Sequence, residues 1–144
     1  MIGPQWSPYA VADAFMSCWQ TKYTYNVLRP VTYIQAVIET DRLPLLVTPP
    51  FPEYPSGHAT QSGAVATVLT DLFGVKAFTD TTHSDHGLTL PQTPRTFRSF
   101  DEATTEAARS RLYGGIHYAS RNTNGLAQGW CIGQVILDRI TFKH

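Results

Sequence analysis

The residues best suited to chemistry form the run Ser56-Gly57-His58, which stands at the head of a helical pattern. The serine can cap a helix that we expect to continue to Phe73 and to stop at Gly74. Backbone N–H groups in the first turn of a helix attract an anion. The glycine lets an oxyanion approach the backbone, and the histidine can transfer a proton near neutral pH. The run therefore predicts a binding site for a phosphate-like anion.

Four residues elsewhere can supply positive charge or a ligating nitrogen, namely Lys22, Arg29, Arg111 and His117. Each also has an ordinary structural explanation: a lysine stem that reaches the surface, an arginine near a helix C-terminus, or a histidine in the core. The pair Gly114-Gly115 lies between Arg111 and His117 and lets the chain bend so that both face one cavity. As a set, three cations, helix-terminal donors and two histidines fit a tetrahedral oxyanion.

Helical periodicity predicts the elements that would position these residues. The first predicted helix spans residues 7–25, with Ser7 as its cap and Pro8 at its first position. Its core-facing stripe consists of Val11, Phe15, Cys18 and Trp19. A second, short helix follows Arg29-Pro30 and extends to about residue 39. Five prolines make residues 40–55 a stiff loop.

The second half of the chain continues the helical pattern after an irregular segment. Residues 75–98 predict loops with at most a short strand, and His83 and His86 in that segment are expected to face solvent rather than a metal. Ser99 and Glu102 form a capping box for a helix that ends near residue 113. The last helix is predicted over residues 124–140. Three glycines at intervals of four indicate close helix contact there: Gly125, Gly129 and Gly133.

Length and composition limit the class of protein. The 144 residues, of which 42% are hydrophobic and 15% charged, predict one globular domain over residues 1–144. The formal net charge of zero disfavours nucleic-acid binding, and no apolar run is long enough for a membrane span. The N-terminus lacks a signal-peptide pattern, which leaves the compartment open. Cys18 and Cys131 favour buried thiols, although a disulfide between them stays open.

Three motifs in this order resemble a known signature. Lys22-x6-Arg29-Pro30, Ser56-Gly57-His58 with the preceding proline, and Ser110-Arg111-x5-His117 are similar to the motifs of the vanadium-dependent haloperoxidases. Those enzymes share the signature with the type 2 phosphatidic acid phosphatase (PAP2) superfamily, which includes bacterial acid phosphatases. The resemblance covers roughly residues 16–130. It implies an all-α helical bundle of this type, of which the chain would be the C-terminal catalytic half.

The resemblance also implies roles for single residues. The oxygens of vanadate or phosphate would be held by Lys22, Arg29, Ser56, Gly57 and Arg111. His117 would ligate vanadium or attack phosphorus, and His58 would be the acid–base group. Trp19 and Phe51 would line the halide side of the pocket, where Phe51 resembles the chloroperoxidase type. For these two aromatic residues, core packing is an equally good explanation.

Two chemistries and one inactive alternative follow from this resemblance. The first is a haloperoxidase, which oxidises halide with hydrogen peroxide at a bound vanadate cofactor. The second is hydrolysis of a phosphate ester through a phosphohistidine at His117. A domain that binds phosphate without turnover is the third. The surroundings of Trp19, Phe51 and the run Tyr54-Pro55-Ser56-Gly57-His58 favour the haloperoxidase.

Two departures from the family pattern shape the expectations. Family haloperoxidases are much longer, so the chain resembles a fragment, or a domain that needs a partner chain or a second copy to cover apolar helix faces. Family members often have a carboxylate one turn after the ligating histidine, where this chain has Arg121. Unless another acceptor orients His117, we expect a less well fixed tautomer and weak activity.

Overall fold

The computed structural model describes residues 6–85 and 93–140, and within that part the chain is mostly helical. In chain order the elements are α1 (Trp6–Tyr25), α2 (Pro30–Val37), α3 (Gly57–Phe73), β1 (Phe78–Asp80), α4 (Thr82–Asp85), β2 (Arg95–Phe97), α5 (Phe100–Tyr113) and α6 (Ala119–Arg139). The predicted helical bundle is confirmed. Among the described helices, none combines the length and the apolar character that crossing a membrane requires.

Helix α3 lies at the centre and contacts α1, α5 and α6. The core between α1, α3 and α6 consists of Ala10, Ala14, Ala64, Val68 and Ile136. Most of these side chains are small, so the helix axes approach closely and little room remains between them. The amino end of α3 is thereby held at a defined place among the other three helices.

The buried stripe of α1 differs from the predicted one. Val11 is 38% exposed and Phe15 is 42% exposed, whereas Ala10 and Ala14 are fully buried. The prediction for Val11 and Phe15 is therefore wrong, because the close approach of α3 admits only small side chains. The true stripe continues from these alanines through Cys18 to Lys22, one turn at a time.

Helix α6 begins at Ala119, five residues before the predicted start near Asn124. Its first turn contains no large apolar residue, so hydrophobic periodicity does not reveal it. The predicted glycine contact is confirmed, because a Cβ at Gly129 would lie 2.2 Å from the carbonyl oxygen of Thr60. Similar overlaps exist at Gly125 and Gly133. The three glycines let α6 lie directly against α3.

The irregular segment contains two short strands where at most one was expected. Strands β1 and β2 pair antiparallel, with Phe78 opposite Phe97 and Asp80 opposite Arg95. The prediction for His83 and His86 concerns side chains outside the described part of the chain.

The predicted helix ends are mostly confirmed. Gly74 ends α3 with a φ of 72°, and the hydroxyl of Ser99 accepts a hydrogen bond from the backbone N–H of Glu102 at the start of α5. The short helix α2 ends at Val37, two residues before the predicted end.

Both cysteines are free thiols. Cys18 is buried, but Cys131 is exposed, so the expectation of two buried thiols is wrong for Cys131.

We expect Gly129→Ala to lower the free energy of unfolding by about 1–3 kcal/mol, because its new methyl group would overlap the backbone of α3. This loss would occur although alanine is intrinsically the better helix former by about 1 kcal/mol. Urea unfolding measures the effect. Ser120→Ala, at an exposed position of the same helix, is the matched control and should change stability by less than about 0.5 kcal/mol. Equal stability of the two variants would contradict the proposed close packing.

Candidate active site

The proline-rich segment before α3 surrounds the ammonium group of Lys22. This side chain lies in the last turn of α1 and is fully buried. Its Nζ donates to the carbonyl oxygens of Pro52 and Glu53, at 3.0 Å each, and to that of Pro55. A buried ammonium group is costly unless it is hydrogen-bonded, and the three carbonyls meet that need. Burial also lowers the pKa of Lys22 to about 8.

Arg29 connects the same segment to the turn between α5 and α6. It is 6% exposed and stands at the N-cap position of α2. Its Nε donates to the carbonyl oxygen of Phe51 at 2.9 Å, and its Nη1 donates to that of Ile116 at 2.9 Å. The same Nη1 lies 3.2 Å from Nε2 of His117. One guanidinium group therefore sets the distance between the proline-rich segment and the imidazole.

The hydrogen bonds of His117 determine which ring nitrogen carries the proton. Nδ1 lies 2.7 Å from Oε1 of Glu53, and this oxygen also accepts from the backbone N–H of Tyr118 at 3.1 Å. The arginine at Nε2 can only donate. Nδ1 therefore donates its proton to Glu53, and Nε2 presents a lone pair. Desolvation lowers the pKa of His117 and favours this neutral form, whereas the hydrogen bond to Glu53 acts in the opposite direction.

Sequence reasoning missed Glu53. The absence of a carboxylate at Arg121 suggested a poorly fixed tautomer unless another acceptor was present, and Glu53 is that acceptor. It is fully buried and reaches His117 from the proline-rich segment rather than from the following helix turn. A signal existed in the sequence: a single acidic residue lies between prolines in a stiff loop, three residues before Ser56.

The amino end of α3 offers a hydroxyl group without a partner. Ser56 occupies the N-cap position with extended backbone, but its side chain makes no capping bond, so that part of the prediction is wrong. Instead, its carbonyl oxygen accepts from the Thr60 hydroxyl at 3.0 Å. The buried Oγ of Ser56 has no hydrogen-bond partner within residues 6–85 and 93–140. It stands beside the N–H groups of the first turn, which have no partner inside the helix.

Gly57 allows Trp19 to lie against the start of α3. A Cβ at this glycine would lie 3.2 Å from Cζ3 of the tryptophan ring. The ring of Phe51 packs next to it, with 5.1 Å between the centroids. Nζ of Lys22 lies 5.7 Å from the Trp19 centroid and 5.4 Å from that of Phe51. These two rings form an apolar wall beside the cation.

His58 and Arg111 lie at the outer side of the site. His58 is exposed, whereas His117 is buried. Its pKa is lowered, first by partial desolvation and then by electrostatic interactions with Arg111, His117 and Lys22. Nε of Arg111 is buried and makes no hydrogen bond to the described residues. Lys22, Arg111 and His117, from three separate segments of the chain, therefore lie close enough to His58 to influence its charge.

A cavity of about 760 Å³ lies beside this site, between α3, α5 and the strand pair. Three phenylalanines contribute to its wall, and it extends to Gln61 and Ser110. Neither histidine of the site lines this cavity, so it is separate from the charged site. Within the described residues, no group of three or more His, Cys, Asp or Glu side chains could hold a metal ion.

The helical bundle matches the folds of solved bacterial vanadium haloperoxidases. The sequence matches the family described as the VCPO second helical-bundle domain over residues 6–45 and 39–143. The chain belongs to this family.

The similar structures include the first bacterial vanadium-dependent iodoperoxidase, with 44% identity and a TM-score of 0.87. The match covers 94% of this chain and 32% of that one. A bacterial vanadium-dependent chloroperoxidase in its holo form has the same fold, with 19% identity and a TM-score of 0.78 over 92% of this chain and 34% of that one. A vanadium-dependent bromoperoxidase from Ascophyllum nodosum is 36% identical over 91 residues, which is 57% of this chain and 16% of the relative. The chain thus spans about a third of the iodoperoxidase and chloroperoxidase chains and 16% of the bromoperoxidase.

We expect Ser56→Ala to leave the free energy of unfolding within about 0.5 kcal/mol of the wild-type value, because the hydroxyl group has no partner to lose. Thr60→Val, one turn later, is the matched control and should cost about 1 kcal/mol through its lost hydrogen bond. In phosphate titrations we expect the opposite ranking of the two variants: Ser56→Ala should lose more phosphate affinity than Thr60→Val. A large loss of stability in Ser56→Ala would show that its hydroxyl has a structural partner instead.

Proposed function

We propose that this chain forms the vanadate site of a vanadium-dependent haloperoxidase, which oxidises a halide with hydrogen peroxide. One observation carries the proposal above the others: the lone pair on Nε2 of His117. Glu53 fixes the proton on the opposite nitrogen, and Arg29 places a cation beside the lone pair. A histidine that ligates a metal through Nε2 needs this tautomer and this kind of support from behind.

The residues around His117 fit a bound vanadate. Ser56 has a buried hydroxyl without a partner, and Arg111 has a buried Nε without a partner, both within the described part of the chain. Gly57 keeps the helix start free of a side chain that would meet Trp19. In this proposal the vanadate oxygens are held by Arg29, Ser56, Gly57 and Arg111, and by the positive charge of Lys22, whose three N–H groups already donate to carbonyl oxygens. Bound vanadate would supply Lewis-acid activation of hydrogen peroxide towards attack by halide.

His58 is the proposed acid–base group. Its ring is exposed at the edge of the site, where small substrates enter, while His117 is enclosed. Partial desolvation, followed by the positive groups around it, lowers the pKa of His58 and favours the neutral form, which can accept a proton. A bound anion would partly cancel those charges and favour the protonated form. This shift lets His58 accept and return a proton within one cycle.

We also propose that further protein covers part of this chain. It would be a second copy, a partner chain or other segments of a longer polypeptide. Leu45 is 83% exposed and Val47 is 94% exposed, and both lie in the loop before the site. Apolar side chains exposed to this degree at neighbouring positions are typical of surfaces that other protein covers. Trp19 and Phe51 are proposed to line the halide side, and the halide itself is left to the assay below.

The function is tested by vanadate titration, followed by oxidation of iodide, bromide and chloride with hydrogen peroxide. Hydrolysis of p-nitrophenyl phosphate on the same sample tests the phosphatase alternative. Halide oxidation that depends on vanadate supports the proposal. Hydrolysis without halide oxidation supports the PAP2-type phosphatase, and anion binding without either activity supports the inactive alternative.

We expect alanine substitutions of the two histidines to have different effects on vanadate binding and turnover. His117→Ala should abolish vanadate binding together with activity, because it removes the proposed ligand. His58→Ala should retain vanadate binding and lose turnover by roughly 10²–10⁴-fold, the range for a general acid–base group. Calorimetric titration and halide oxidation measure the two effects. Wild-type binding in His117→Ala would exclude it as the ligand, and equal losses of binding and turnover in His58→Ala would argue for a structural role.

Phosphate affinity should fall as the pH rises from 7 to 9. With a pKa of about 8, Lys22 changes from mostly protonated to mostly neutral over this interval, which predicts roughly a tenfold loss. Its contribution to stability has the opposite sign. The pKa is lower than the ordinary value of 10.5, so the unfolded chain binds more protons between pH 8 and 10.5, and the contribution rises with pH.

Isothermal titration with phosphate and urea unfolding of wild type and Lys22→Met, each at several pH values, measure the two trends. A phosphate affinity that stays constant from pH 7 to 9 would show that the Lys22 proton does not contribute to anion binding.

A further inference from the structure

The second carboxylate oxygen of Glu53 has one positive group beside it. While Oε1 bonds to His117 and to the N–H of Tyr118, Oε2 is buried and makes no hydrogen bond to the residues described here. Nε of Arg121 lies 3.7 Å from Oε2 and is itself buried without a hydrogen-bond partner in the described ranges. Both atoms of this ion pair are buried, although the Arg121 side chain as a whole is 35% exposed, so water screens the pair only from one side.

Aromatic contacts hold the Arg121 guanidinium in place. Its Cζ lies 5.0 Å from the centroid of the Tyr54 ring, which is a cation–π distance. That ring packs edge-on against Tyr25, with 5.5 Å between the centroids, and Nδ2 of Asn124 lies 3.5 Å from its hydroxyl oxygen. The side chain of Arg121 is therefore confined on both sides, between a fixed ring and a buried carboxylate.

The position of Arg121 in α6 has an electrostatic cost. It lies in the first turn of the helix, where positive charge opposes the helix dipole, and this turn contains no acidic residue. A surface role would not favour arginine at such a place. The backbone of Arg121 has its own structural task, because its carbonyl oxygen accepts from the N–H of Ser56 at 3.3 Å, but any residue can perform that task. The side chain is left with Glu53 as its charged partner.

We propose that Arg121 is a positioning residue that acts on the anion site through Glu53. It anchors Oε2, so that Oε1 stays directed at Nδ1 of His117 and Nε2 stays directed at the bound oxyanion. The inference rests on the proposed function. It assigns a task to the residue that lies one turn after His117.

The proposal is tested by a double-mutant cycle with orthovanadate as the ligand. Arg121→Met retains an unbranched apolar stem and removes the charge, and we expect it to weaken vanadate binding about tenfold. In a Glu53→Gln background, Arg121→Met should lower vanadate affinity by less than about twofold, because the carboxylate through which Arg121 acts on His117 is already absent. Arg121→Lys keeps the charge and should retain most of the affinity. Arg139→Met, at the exposed far end of the same helix, is the control and should bind as wild type.

A second readout does not depend on vanadate. Nitrogen-15 NMR of the imidazole, assigned with His117→Ala, reports which ring nitrogen carries the proton. Wild type and Arg121→Lys should show the proton on Nδ1, and Arg121→Met should show a mixture of both forms. A role confined to packing would leave this signal unchanged.

The outcomes separate the two proposals. If wild type does not bind vanadate, the proposed function fails, and the NMR comparison alone decides the task of Arg121. If wild type binds and folded Arg121→Met has wild-type affinity and tautomer, the positioning role is excluded. If Arg121→Met does not fold, Arg121→Lys decides, and a folded lysine variant with a tenfold loss and an unchanged tautomer would exclude the role.

Discussion

The burial of two positive side chains, Lys22 and Arg29, is the constraint on which the rest of the structure depends. Removing a charge from water is costly unless its donors are hydrogen-bonded, and Glu53 is the one carboxylate described at this site. Carbonyl oxygens of the proline-rich segment meet most of this need. The segment must therefore wrap around these cations, and its prolines fix φ, which limits the conformations that the wrapped segment can adopt.

The same segment carries the residues that complete the site. Phe51 covers both cations with its ring, Glu53 turns back towards His117, and Ser56 opens α3. The geometry of the imidazole and the direction of the helix start thus follow from one packing arrangement. Close contact of α3 with the glycine stripe of α6 holds that helix start in place. The buried Ser56 hydroxyl and Arg111 Nε are already held in place by this packing, which would reduce the reorganisation that anion binding requires.

Some of this arrangement could be predicted from the sequence, and some could not. Gly74, Ser99 and the glycine stripe were predictable because each acts through local backbone geometry. The exposed sides of Val11 and Phe15 were not, because burial there is decided by how closely another helix approaches. Glu53 escaped prediction for a related reason: its partners lie more than sixty residues away, and only the folded chain brings them together.

The proposed vanadate site is tested most directly by a crystal structure, determined from crystals of the protein grown in the presence of orthovanadate. We predict one vanadate at the amino end of α3, with vanadium bonded to Nε2 of His117 and its oxygens within hydrogen-bond distance of Arg29, Arg111 and Ser56. Nδ1 of His117 should still donate to Glu53. Vanadate bound elsewhere, or density at this position that is not connected to the imidazole, would contradict the assignment of His117 as the vanadium ligand.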